Sequence, residues 1–92
     1  MRPVARRVND VLAFIGANIR RIRIDRGMTQ SEVAGFAGQD LSYLQRVERG
    51  VTNLTVAVLV SVADVLEVSP GSLFRPTKIP TRRTGRPRNR KK

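Results

Sequence analysis

The 92 residues contain no cysteine, no histidine and no tryptophan, and only four aromatic side chains: Phe14, Phe36, Tyr43 and Phe74. Without cysteine there is no disulfide framework and no thiolate metal site. Without histidine the commonest general base and the commonest zinc ligand are both missing. The sequence therefore points away from an enzyme, and no catalytic set, metal or cofactor is expected. The few aromatics offer no stacking platform for single-stranded nucleic acid. Long apolar runs are also missing. The longest stretch without a charge is Gly50 to Ala63, fourteen residues, against the roughly 20 that a membrane helix needs. The opening "MRPVARRVNDVLAFIGANIRR" places arginines before an apolar run, as an export signal does. Its uncharged segment, Val11 to Ile19, is short and runs straight into Arg20 and Arg21, so neither export nor membrane association is expected. A chain of this length supports one domain with one modest core.

What the chain does have is positive charge, unevenly placed. The formal net charge is +11. Residues 75–92 carry Arg75, Lys78, Arg82, Arg83, Arg86, Arg88, Arg90, Lys91 and Lys92 and no acid, whereas residues 1–74 balance nine basic residues against seven acidic ones, a net of +2. The tail also holds Pro76, Pro80 and Pro87 and lacks apolar periodicity. Such a segment cannot bury enough surface to fold by itself. Two parts follow: a folded domain over residues 1–74 and a disordered basic arm over 75–92. A body with a polycationic arm implies a polyanionic partner, DNA or RNA.

Within the body the pattern is helical. Val4, Val8, Val11, Ile15, Ile19 and Ile22 recur every three or four residues, one face of a helix. It is expected from about Asn9 to Arg26, with an extension back toward Ala5. Asp10 is a candidate cap for its start, and Gly27 stands where helices stop. Thr29-Gln-Ser-Glu32 has the spacing of a capping box and opens a second helix to about Ala37, with Val33, Ala34 and Ala37 inward and Gly38 closing it. Asp40 can cap a third helix, carrying Leu44 and Val47 inward and ending at Gly50. From Thr55 to Glu67 two periods compete. Val56, Val58, Val60 and Val62 alternate as in a strand, while Leu59, Val62, Ala63 and Leu66 fit a helix. Length and the lack of any partner strand favour the helix. Ser69-Pro70 reads as a cap and first-turn proline of a short last helix ending at Leu73-Phe74.

Two short helices joined by Ala37-Gly38-Gln39-Asp40 have the length and glycine of a helix–turn–helix. The string "IRRIRIDRGMTQSEVAGFAGQDLSYLQRVERG", followed by "LVSVADVLEVSPGSLF", resembles the Cro/lambda-repressor-like (XRE-type) helix–turn–helix family over roughly residues 15–74. The marks are Arg-x-x-Arg-x-x-x-Gly in the first helix, Thr29-Gln30, Ala34, Gly38 and Glu48-Arg49-Gly50. "LSYLQRVERGVTN" looks particularly like the controller proteins of restriction–modification systems. The sequence departs from the family pattern at Gln39, where an aliphatic residue is usual, at Phe36, where a polar one is, and at Leu54, where a proline is. The resemblance implies an all-α domain of four to five helices and a sequence-specific transcriptional regulator bound to double-stranded DNA. It also implies a homodimer and a bacterial cytoplasmic setting, at the nucleoid. The alternative reading is an antitoxin that binds a toxin and, secondarily, its own operator.

The helical phase of the third helix sorts its residues. At about 100° per residue, Tyr43, Leu44, Val47 and Glu48 share the apolar side. Ser42, Gln45, Arg46 and Arg49 share the other, with Leu41 at its leading edge. Arg46 suits a guanine edge, Gln45 an adenine, Ser42 either, and Leu41 a thymine methyl. The resemblance implies base contacts from Leu41, Ser42, Gln45 and Arg46. It likewise implies backbone contacts from Gln30, Arg49, Thr52 and Asn53. Glu48 lies inward, and a partly buried carboxylate needs a cation. The family pairs it with the arginine at the position of Arg23, so an Arg23–Glu48 ion pair is expected. In the arm, Gly85-Arg86-Pro87 resembles the centre of an AT-hook, with Thr84 where an arginine is usual. Arg82, Arg83, Arg86 and Arg88 are its candidate DNA contacts, by phosphate attraction or by entry into a minor groove. Surplus apolar residues at Val56, Val58, Val60 and Val65, with Val68, Leu73 and Phe74, are candidates for a two-fold interface. Alternatively they thicken a small core. Phe36 is a further candidate contact.

Overall fold

The structure, a computed structural model, describes residues 4–79, with side chains from Arg7 onward. Four α-helices follow in order: α1 (Val4–Asp25), α2 (Gln30–Ala37), α3 (Leu41–Arg49) and α4 (Val56–Leu66). A short 3-10 helix, Pro70–Phe74, closes the body. The described residues contain no strand.

Helix α1 begins earlier than the core expectation of Asn9, because Ala5 and Arg7 are good helix formers and nothing interrupts the run. Asp10 is consequently half-buried inside the helix and not at its start. Gly27 stops the helix in the left-handed region, at φ 70°. The capping box of α2 is complete: the Thr29 hydroxyl accepts from the Glu32 amide at 3.0 Å, and the Thr29 amide donates to the Glu32 carboxylate at 2.8 Å. Thr55 caps α4 through the Val58 amide. Asp40 and Ser69 stand at cap positions with extended backbone, but neither side chain makes a capping hydrogen bond. For these two helices the backbone turn, and not a side-chain cap, sets the start.

The competing periods in α4 are decided by burial. Leu59, Val62, Ala63 and Leu66 are all buried, while Val56 and Val60 face outward. A helix gives each side a use, core or surface; a strand here would leave a row of unpaired amides. The core gathers Ile15 and Ile19 from α1, Val33 and Ala34 from α2, Leu44 and Val47 from α3, the α4 stripe, and Leu73. Each large aliphatic side chain fully withdrawn from water contributes about 1.5–3 kcal/mol before entropy. Leu73 is completely buried, so the last 3-10 turn is pinned to the core by that side chain. It is therefore a core residue and not part of a dimer face, a correction to the pattern-based expectation. Val65, Val68 and Val58 also pack against the core and are half-buried.

The last turn is held a second way. Asn18 lies within the apolar stripe of α1 and is 1% exposed. Its amide donates to the carbonyls of Leu73 (2.9 Å) and Arg75 (3.0 Å), and its oxygen accepts from Arg21 (3.1 Å). A buried amide must be satisfied or it costs stability, and here both ends are. Position 75, where the basic segment begins, is thereby tied to α1. The arm positions Arg82, Arg83, Arg86 and Arg88 lie outside the described residues.

Candidate nucleic-acid interface

Helix α3 is short, nine residues, so its orientation depends on what seats it. Gly16 and Gly50 are where α1 and the end of α3 come closest. A Cβ at Gly16 would lie 2.4 Å from the Val47 carbonyl oxygen and 2.5 Å from that of Glu48. One at Gly50 would lie 2.8 Å from the Ala13 Cα, and Gly50 also takes φ 73°, as the left-handed end of α3 demands. Main chain meets main chain, and only glycine leaves room for it.

The second seat is ionic. Arg23 donates side-on to Glu48, Nε to Oε2 at 2.6 Å and Nη2 to Oε1 at 3.1 Å. Its remaining Nη1 donates to the Met28 carbonyl at 2.9 Å. The side chains are only 11% and 3% exposed. This is the buried, fully hydrogen-bonded case, and it ties α3 to α1 and to the turn before α2. The ion pair is legible in the sequence; its third acceptor, Met28, is not, because a backbone group leaves no mark in side-chain patterns.

With Leu44, Val47 and Glu48 buried, the opposite face of α3 is open. Leu41, Ser42, Arg46 and Arg49 are exposed and Gln45 is half-buried. That face carries two arginines and no acid, since the one acid of the helix is buried against Arg23. Arg46 lies back along its own helix, its guanidinium carbon 5.7 Å from the centre of the Tyr43 ring, a distance at which a cation is attracted to an aromatic face. Tyr43 itself is half-buried against the core, and its hydroxyl lies 3.3 Å from the Asn53 carbonyl, bracing the loop after α3. In that loop Thr52 is half-buried and Asn53 exposed. Gln30 departs from a simple phosphate-facing position: its amide donates to Glu48 Oε1 at 3.0 Å, and its oxygen lies 3.5 Å from the Gln45 amide nitrogen.

At the departures from the family pattern, Gln39 turns back to the Ala37 carbonyl at 3.4 Å. Leu54 packs on the core in place of a proline, and Phe36 stands 74% exposed on α2. A second apolar feature lies away from α3. A cleft of about 430 Å³ between the start of α1 and the start of α4 is lined by Val8, Val11, Leu12, Leu54, Val56 and Phe74, among others. Val8 and Val11 of the α1 stripe thus face this cleft, with Val8 45% exposed.

Two short helices at a tight glycine turn, the second amphipathic and held by a buried ion pair with its polar face open, define a helix–turn–helix domain of the DNA-reading kind. The comparisons with known proteins agree: residues 19–73 match the helix–turn–helix family model HTH_3. The chain belongs to this XRE-type helix–turn–helix family. It is 40% identical over 68 residues to the uncharacterised HTH-type transcriptional regulator y4dJ of Sinorhizobium fredii, covering 74% of this chain and 88% of that one. The crystal structure of the restriction–modification controller protein C.AhdI from Aeromonas hydrophila is similar with TM-score 0.66 and 33% identity, over 68% of this chain and 96% of that one. SinR, a Bacillus subtilis regulator, is similar in its DNA complex with TM-score 0.63 and 39% identity, over 66% of this chain and 98% of that one. The SinR–SinI protein complex matches with TM-score 0.61 and 40% identity, over 64% and 58%.

Proposed function

We propose that this protein is a sequence-specific regulator of transcription that lays α3 in the major groove of double-stranded DNA, in the cytoplasm of a bacterial cell. Leu41, Ser42, Gln45 and Arg46 read base edges, and Arg49, Thr52, Asn53 and the start of α2 at Gln30 contact the backbone. The observation that carries this reading is the division of α3: its outward side chains are exposed, or half-buried at Gln45, and all are neutral or basic, while its acid is buried against Arg23. Family membership and the DNA complex of SinR support it. The arm adds sequence-independent attraction through its basic residues.

One such domain spans only a few base pairs, so a two-fold pair on half-sites about 34 Å apart is the working assembly. The face for it is the outer side of α4 with the cleft beside it. Val56, Val60 and Phe74 are exposed there, giving ridge and groove on one patch, as a two-fold contact requires. Val65 and Val68 are half-buried and contribute at its margin. A protein partner is the second reading, favoured by the SinR–SinI complex and by the bare Phe36; co-purification of a second small protein would mark it.

Selection of bound sequences from a random duplex library tests the primary reading. A consensus is expected, and Arg46→Ala should relax one position of it with a loss of about 1–3 kcal/mol, roughly 5- to 150-fold in affinity. Enrichment of no sequence would overturn it.

A further inference from the structure

The first turns of α1 build a wall that lies outside the family match. That match begins at residue 19, whereas α1 begins at Val4, so Arg7, Val8, Val11 and Leu12 all precede it. They face the start of α4 across the cleft of about 430 Å³, where the buried Ile15 and Leu59 also contribute. On the other side Leu54 is half-buried, at a position where the family pattern has a proline, and Val56 beside it is exposed. Phe74 completes the apolar lining. A volume of this size falls within the range of about 300–1,000 Å³ in which small molecules are held.

The lining carries one charge. Arg7 is exposed, no described acid forms an ion pair with it, and no acid lines the cleft. Asp10, the nearest acid along α1, is not part of the lining. An aliphatic trough with a lone cation matches a molecule with an aliphatic body and one anionic end. A neutral hydrocarbon leaves the guanidinium unused, and a cation is repelled by it. A carboxylate instead accepts two parallel hydrogen bonds from a guanidinium. We propose that this cleft binds the anion of a medium-chain fatty acid, its chain along the aliphatic lining and its carboxylate on Arg7. Once bound, the chain covers Val56 and Phe74, the same side chains that the two-fold patch presents to a second copy. Ligand and partner copy therefore exclude each other, and the acid releases the protein from paired half-sites. This regulatory half rests on the two-fold reading of that face given above; the binding half does not.

The test titrates decanoate, below the concentration at which it forms micelles, into the full chain without DNA and follows amide NMR shifts. The amides of Val8, Leu12, Leu54 and Val56 should shift together and saturate, while those of α2 stay in place. Decanol separates charge from chain. Arg7→Gln, which keeps a good helix former, should weaken decanoate about three- to fivefold, the scale of an exposed ion pair, and leave decanol unchanged. Val8→Glu, at an exposed position, should abolish decanoate binding. Arg20→Gln removes an exposed arginine outside the lining and should change nothing. An equal loss with Arg20→Gln marks attraction by net charge alone and overturns the site. Shifts that never saturate, or decanol bound as tightly as decanoate, overturn it too. Sedimentation then reads the regulatory half: saturating decanoate should move the dimer toward the monomer. Saturable binding in the cleft with an unchanged dimer overturns the competition and the two-fold reading of this face, and leaves the ligand site standing.

Discussion

Replacing Glu48 by alanine removes both oxygens that hold Arg23 and leaves the guanidinium, 11% exposed at its side chain, to the Met28 carbonyl. The Gln30 amide is deprived of its acceptor at the same time. An uncompensated buried charge costs about 3–5 kcal/mol, whereas an exposed pair would cost under about 1 kcal/mol; the 3% exposure of the Glu48 side chain puts this pair in the first regime. A domain this size gains or loses about 4–8 °C of melting temperature per kcal/mol. Glu48→Ala should therefore melt roughly 12–40 °C lower, a large share of the 5–15 kcal/mol that typical domains possess. The double replacement Arg23→Met with Glu48→Leu exchanges the pair for apolar groups of similar size and should recover most of that deficit. Thermal and urea unfolding followed by circular dichroism measure both. A Glu48→Ala midpoint within about 3 °C of the parent would refute the reasoning, since that is the behaviour of a solvated pair.

Gly16→Ala should destabilise despite alanine's better helix propensity, because its Cβ would press on two backbone oxygens 2.4 and 2.5 Å away. Overpacking of that kind costs about 1–3 kcal/mol, above the gain of about 1. Gly35→Ala, in the interior of α2 with nothing within 4 Å of its Cβ, should instead stabilise by about 1 kcal/mol, and the two melts run side by side check the contrast. Removing residues 77–92 spares the Asn18 bonds to Leu73 and Arg75 and takes away eight basic residues. The slope of log affinity against log salt should flatten by about 0.9 for each phosphate that the arm no longer neutralises, with the preferred site retained. Val60→Glu places a charge on the exposed face of α4 and should shift sedimentation toward the monomer; an unchanged dimer would move the interface elsewhere.

Most of the scaffold is legible in the sequence because its signals are local or periodic. The Thr29–Glu32 spacing announces the capping box, and it forms in full. Leu59, Val62, Ala63 and Leu66 repeat with the period of a helix, and burial follows that period against the valine alternation. Glu48 stands out as an acid on an apolar face. What stays hidden depends on pairing across the fold. Leu73 looks like spare apolar surface because nothing local says that α1 and α4 close over it. Asn18 carries a fainter signal: a polar residue one turn from Ile15 and Ile22 in an apolar stripe needs a partner, and the partners are carbonyls 55 and 57 residues away. Gly16 is a second such signal, since a glycine inside a long helix is a cost unless something comes close. The inward turn of Gln30 is invisible for a different reason. Its position suits a phosphate, and only the placement of Glu48 draws its amide the other way.

Because α1 meets the end of α3 through carbonyl oxygens and Cα atoms at Gly16 and Gly50, that seat is built from groups every amino acid carries. Exchanging the side chains at Leu41, Ser42 and Arg46 removes nothing the seat relies on. A gene duplicate of this protein could thus drift to a new operator by outward substitutions alone, each step leaving a folded and correctly tilted reader. Address and chassis are inherited separately, and a single methyl group at position 16 is enough to disturb the chassis for every address at once.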